Sequence, residues 1–285
     1  LAALGGWFAA TRVTDRAALR FAGGAMWALA PTFLAALTQG RPGAMIAHLL
    51  LPWLFYTASV AHRSWVASGT ASLFFAGVVA VAPSLAPALV VLWVAAIVLA
   101  LILRRGRGVA RLVWVVIPGA LLAAPLAWAQ VRSGGAWGLL ADPGLVWQGA
   151  QVGADAAGRA LLAAGFPTPD LVGWVDFIPG LPTWWVPLLT APVALLALMA
   201  PLTQRWAAGI ALLVVTALGL GTAFAAVGLS VAFAQSAPVA LWPGTGLSLA
   251  WLGALGGALV ALDIGLAPRL RAARGIAAAT VVLAL

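Results

Sequence analysis

The 285-residue sequence contains no cysteine, no lysine and no glutamate. The missing cysteine excludes disulfides and thiolate metal sites. All fifteen basic residues are therefore Arg and all six acids Asp, a bias that reads as codon usage in a GC-rich genome. Charge of either sign is scarce: 7% of residues are charged, against roughly 25% in a soluble domain. Several catalytic signatures are missing as well. The chain has no Asp-x-Asp pair, no phosphate-binding glycine loop with a Lys, no His-Glu-x-x-His and no nucleophile elbow. No internal repeat marks two related transporter halves.

What is present is apolar. Hydrophobic residues make up 64% of the chain, and its mean hydropathy is +1.10. A chain this apolar cannot cover a water-facing surface, so lipid is the solvent that suits it. Runs close to the ~20 residues needed to cross a bilayer predict helices, and the alternating strands of a barrel are missing. The expected fold is all-α, a polytopic transmembrane bundle forming one domain over residues 1–285. Spans are predicted at about 21–38, 44–60, 65–82, 85–103, 112–130, 183–202, 206–234 and 247–262, with partial runs ending near Ala10 and starting near 276. Leu1 is not an initiator Met and the final run stops short of a span, so a segment of a longer chain is expected.

Alternation of sides makes the topology testable. One set of connections holds Arg12, Arg16, Arg20, Arg63, Arg104, Arg105, Arg107, Arg111, Arg205, Arg269, Arg271 and Arg274, and the other only Arg41, Arg132 and Arg159. The positive-inside rule makes the first set cytoplasmic in a plasma membrane. This use of Arg accounts for the net charge of +9 without nucleic acid, which is not an expected partner. Asp142, Asp155, Asp170 and Asp176 fall on the opposite side.

That outer side carries the irregular sequence. Residues 131–182 form an extracytoplasmic loop, in which 145–164 is expected to make an amphipathic interfacial helix with Asp155 and Arg159 paired four apart. Trp137, Trp147, Trp174, Trp184 and Trp185 suit the aromatic belt. A second outer link, Gln235 to Gly246, is rich in turn residues. Prolines 31, 52, 118, 125, 187 and 192 lie within spans and are expected to kink them.

The most pointed constellation is Gln39-Gly40-Arg41-Pro42-Gly43 followed by His48, an outer turn entering a span. Arg41 offers a planar fork suited to phosphate, and His48 a group that orients a hydroxyl or shuttles a proton. The alternative is that Arg41 snorkels to headgroups while His48 bonds a carbonyl on a neighbouring helix. Asp142, Asp170 and Asp176 are candidate substrate contacts, one of them a general base or two of them a metal pair, and otherwise solvated loop acids. No metal or cofactor is assigned to this window, and Asp263 reads as interfacial.

Four stretches carry a resemblance: LTQGRPGAMIAHLLLPWL (37–54), VAPSLAPALVVLWV (81–94), WAQVRSGGAWGLLADPG (128–144) and LWPGTGLSLAWLGALGGALVALD (241–263). They resemble the multi-spanning membrane region of large actinobacterial family 2 glycosyltransferases. The resemblance implies a cytoplasmic nucleotide-sugar transferase domain upstream of Leu1 in the same chain. It places the recognised active site of that family upstream, while the helices and irregular outer loops are similar in plan to membrane transferases that use polyprenyl-phosphate sugars. The first reading is therefore a membrane region that handles such a lipid-linked sugar at the outer face, beside the membrane lipids, with Arg41 as phosphate contact and Gln39 and His48 beside it. A transporter or lipid-carrier flippase is the second reading, and a non-catalytic anchor or scaffold the third.

Overall fold

The computed structural model describes residues 1–104, 106–144, 154–166, 168, 186–234 and 237–264. The chain opens with α1 (Ala2–Ala10) and α2 (Ala17–Ala28), then α3 (Pro31–Thr38), α4 (Pro42–Ala58) and α5 (Trp65–Val81). A 3-10 turn at Pro83–Leu85 leads into α6 (Ala86–Ile102), and α7 covers Gly106–Arg132. Beyond lie α8 (Ala156–Ala163), α9 (Ala191–Met199), α10 (Trp206–Gly228) and α11 (Gly244–Ile264). Prolines in the first turn start α3, α4 and α6, where a missing N–H costs nothing. Ser64 caps α5, its hydroxyl accepting the Ala67 N–H at 3.5 Å.

Among the described residues, five helical segments are long and apolar enough to cross a membrane: Ala17–Thr38, Pro83–Ile102, Gly106–Arg132, Trp206–Gly228 and Gly244–Ile264. The remaining expected spans are shorter helices. α4 and α5 have 17 residues each, about 26 Å of helix, slightly less than the ~30 Å hydrocarbon core. The expected span at 206–234 ends early. After Gly228 the backbone turns extended, and Ser230–Ala234 pairs antiparallel with Ala237–Ala240 as β1 and β2. Apolarity continues through Val231 and Phe233, but a short apolar run does not distinguish helix from strand. The expected helix over 145–164 reduces to α8 within the described residues, with 145–153 outside them. Asp155 does not serve as a side-chain partner for Arg159. It caps α8 instead, accepting the Gly158 N–H at 2.7 Å.

Pro31 breaks rather than bends its span. The residue before a proline is pushed out of the helical region, and Ala30 is extended at ψ 130°. Lacking an N–H, Pro31 cannot bond the Trp27 carbonyl one turn back. At this break the Nε2 of His48 in α4 reaches Trp27 O at 3.1 Å, and the Nε1 of Trp251 in α11 donates to Met26 O at 3.3 Å. Two ring nitrogens from other helices thus serve the carbonyls that the proline leaves short of donors.

The bundle centres on α11. Over half of its span (56%) is buried, against 11% of α7, whose Leu121, Leu122, Leu126 and Trp128 face outward. Large apolar side chains line the outside while Gly, Ala and Ser fill the contacts, as expected when the solvent is lipid. A Cβ on Gly219 of α10 would run into the Ala250 backbone of α11, and one on Gly246 would lie 2.6 Å from Ala223 N. The opposite flank is tied by the Trp93 indole, which donates to Leu112 O at 2.7 Å, and by the Ser68 hydroxyl, which donates to Arg111 O at 2.6 Å.

Arginines gather at one end. Arg12 Nε donates to Tyr56 O at 3.1 Å, Arg205 Nη1 to Val13 O at 2.7 Å, and Arg111 Nη1 to His62 O at 3.2 Å. Asp263 joins them, accepting from Thr14 at 2.9 Å and pairing with Arg16 Nε at 3.3 Å and Arg205 Nη1 at 3.8 Å. Arg41 lies at the other end of α4.

Candidate functional site

At the end opposite the arginine cluster, four connections meet around one carboxylate. The first follows α3. Gly40 takes φ +62°, Gly40 N donates to Leu37 O and Arg41 N to Ala36 O, a glycine-terminated helix end that sets where Arg41 begins. The second is the 3-10 turn at Pro83–Leu85, the third the Asp142-Pro143 segment after α7, and the fourth the start of α11. Gly43 makes their meeting possible, because a Cβ there would lie 2.8 Å from Val81 O and 3.2 Å from Pro143 O.

Asp142 ties these pieces together. Its Oδ1 accepts the Ser84 N–H at 3.0 Å, and its Oδ2 accepts the Ser84 hydroxyl at 2.8 Å and the Thr245 hydroxyl at 3.4 Å. Ser84 Oγ and Thr245 Oγ1 are themselves 3.1 Å apart, and both residues are buried. Burial pushes the Asp142 carboxyl above its ordinary value, opposed by the Ser84 and Thr245 hydrogen bonds and the Arg41 charge. Burial likewise lowers the Arg41 guanidinium, with Asp142 acting against that shift. Arg41 remains a cation even so, since its ordinary value lies so high. Its Nε donates to Gln39 Oε1 at 3.2 Å, and its guanidinium carbon sits 5.1 Å from the Trp242 ring centre. The Trp242 ring in turn covers Gly244, where any side chain would collide with it.

Gln39, Arg41 and Asp142 are thus brought together, while Asp170 and Asp176 lie outside the described residues. His48 is placed differently. It is wholly buried, its ring stacked 3.9 Å from that of Trp27 and 4.8 Å from that of Phe33. Its Nδ1 lies 3.0 Å from Ser248 Oγ, which in turn lies 3.1 Å from Thr32 Oγ1. Because a carbonyl only accepts, Nε2 carries the proton it gives to Trp27 O. Of the two roles expected for His48, this geometry is that of the carbonyl-bonded histidine. Ser248 stands one turn below Thr245 on α11, so His48 underlies the Asp142 cluster without touching it.

Ser84, Trp242, Thr245 and Ser248 were not singled out as site residues by sequence. A signal did exist, since every one of them lies within a stretch that carries the resemblance. Among the described residues, no three acidic, histidine or cysteine side chains converge as a metal site would require. Chemically the cluster offers a half-buried guanidinium with an aromatic face beside it. It also offers a carboxyl whose proton affinity is raised and whose position is fixed by three donors.

In length and apolarity the described helices are those of a multi-pass helical membrane protein. Comparison with protein-family models, with curated proteins and with solved structures found no match to this chain.

Proposed function

We propose that this chain is the membrane region of a glycosyltransferase of cell-envelope glycan synthesis, handling a lipid-linked sugar at the outer face. One observation carries the reading. The four stretches that resemble family 2 glycosyltransferases, spread over residues 37–263, each contribute to a single polar cluster: Gln39 and Arg41, Ser84, Asp142, and Trp242 with Thr245. Separate phrases that meet at one place are what a shared site predicts. In this reading the arginine-rich end is cytoplasmic and faces the nucleotide-sugar domain. The eight expected spans then include α4, α5 and α9 with its flanking turns, seated where the bilayer thins or the helices pack without tilt. Arg41 holds the phosphate of a polyprenyl carrier, Trp242 flanks the sugar, and Asp142 exchanges a proton with a hydroxyl close by. A phosphate at Arg41 would raise the Asp142 proton affinity further, so the two anions do not oppose one another.

The transporter reading has less support, because His48, the ionisable group deepest in a described span, is sealed among aromatic rings rather than lining a polar path. The test is sugar incorporation into envelope glycan by membranes carrying the full protein, with protein abundance measured in parallel. Arg41→Gln should lower incorporation roughly ten-fold or more at unchanged abundance, the scale of losing a charge-assisted phosphate contact. Full incorporation by Arg41→Gln and Asp142→Asn at normal abundance would leave the chain an anchor or scaffold.

A further inference from the structure

A cavity of about 260 Å³ opens at the arginine-rich end, between the α1–α2 connection, α4, α10 and α11. Its mouth holds Arg12 and Arg205, and its walls are Phe55, Leu212, Val215 and Val260, with Ala208 and Ala211 leaving α10 thin on the exposed side. Polar groups stand only at one end. From Arg205 to Val215 the trough follows α10 for ten residues, about 15 Å, which is half of a ~30 Å hydrocarbon core. Its depth is therefore one leaflet.

Charge at the mouth is incompletely neutralised. Arg20 pairs with Asp15, while Arg16 and Arg205 share the single charge of Asp263. Arg12 lies 3.9 Å over the Tyr56 ring and bonds the Tyr56 carbonyl through Nε, contacts that fix its direction without cancelling its charge. Four arginines against two aspartates leave an excess of two positive charges. The Nε bond aims the guanidinium and leaves both Nη groups to donate to an anion.

We propose that this groove binds an anionic phospholipid of the adjoining leaflet, its phosphate between Arg12 and Arg205 and one acyl chain along α10 against Phe55 and Val260. A free phosphate would use the arginines but not the apolar trough. A neutral lipid would use the trough but not the excess charge. The proposal does not depend on the glycosyltransferase reading, since the groove lies at the opposite end of α4 from Arg41.

The test uses the whole protein, delipidated and returned to nanodiscs of phosphatidylcholine with a minor share of phosphatidylglycerol, with retained lipid read by native mass spectrometry. Phosphatidylglycerol should be enriched about ten-fold over phosphatidylcholine, a scale that two basic side chains at a headgroup support. Arg12→Gln with Arg205→Gln should abolish the preference, whereas Arg63→Gln at the same end should keep it. Ala211→Trp fills the trough from its lipid-exposed side, so it spares the core and remains a test if the double variant fails to insert. It should displace bound phosphatidylglycerol with both arginines intact. Absence of enrichment in the wild type, its survival in the double variant or in Ala211→Trp, or full displacement by inorganic phosphate would overturn the proposal.

Discussion

Replacing His48 separates a structural histidine from a catalytic one. His48→Ala removes two ring stacks, each worth about 0.5–1.5 kcal/mol beyond burial. It also takes one partner each from Trp27 O and Ser248 Oγ, at about 1–1.5 kcal/mol per hydrogen bond. The two losses differ in kind. Ser248 keeps Thr32, but the Trp27 carbonyl, deprived of its helical donor by Pro31, retains only the Ala30 N–H at 3.3 Å. These add to a destabilisation of about 3–6 kcal/mol for Ala. His48→Phe preserves the stacks and loses only the polar part, about 2–3 kcal/mol. Thermal unfolding of the detergent-solubilised protein, followed by loss of the monodisperse peak, should therefore rank wild type above Phe and Phe above Ala. Any loss of sugar transfer should follow the loss of folded protein. An Ala variant as stable as wild type but inactive would refute the reasoning and return His48 to the chemistry.

Two further outcomes follow from the geometry. Gly219→Val and Gly246→Val should each strip the protein of its folded form, because α10 and α11 touch backbone to backbone there, whereas Gly221→Ala, with open space around it, should be neutral in solubilised yield. The Asp142 carboxyl is raised by burial, so the native state binds its proton more tightly than the unfolded chain does. Its contribution is therefore greatest below the ordinary carboxylate value of 3.8 and declines as pH rises through the higher native value. Stability measured across that window should fall with rising pH in the wild type and flatten in Asp142→Asn, and an unchanged slope would contradict the assignment.

Much of the architecture was legible because it depends on solvent. Apolar runs located the helices α2 with α3, α6, α7, α10 and α11, and the segregation of Arg anticipated that Arg12, Arg16, Arg111 and Arg205 would share one end. The errors fell where local sequence is ambiguous. Residues 230–234 are as apolar as the helix before them yet form a strand, and Asp155 caps a helix start rather than pairing with Arg159. The cluster about Asp142 was half visible. Arg41 and Asp142 stood out as rare charges, but nothing local joins Asp142 to Ser84, 58 residues away, or to Thr245, 103 away.

The sequence by itself determined that this chain is suited to a membrane, where its long apolar helices fall and which of its ends is basic, because those follow from transfer of side chains between water and lipid. It also marked Pro31 as the point where its span would bend, since a proline acts on its own backbone, though the bend proved to be a break. Only the tertiary structure decided who answers that break. The carbonyls of Met26 and Trp27 receive Trp251 and His48, over 200 and about 20 residues away, and so a histidine open to two roles became part of the core. The same packing placed a carboxylate, a guanidinium and two hydroxyls together, a convergence that depends on helices meeting at glycines and not on any spacing along the chain.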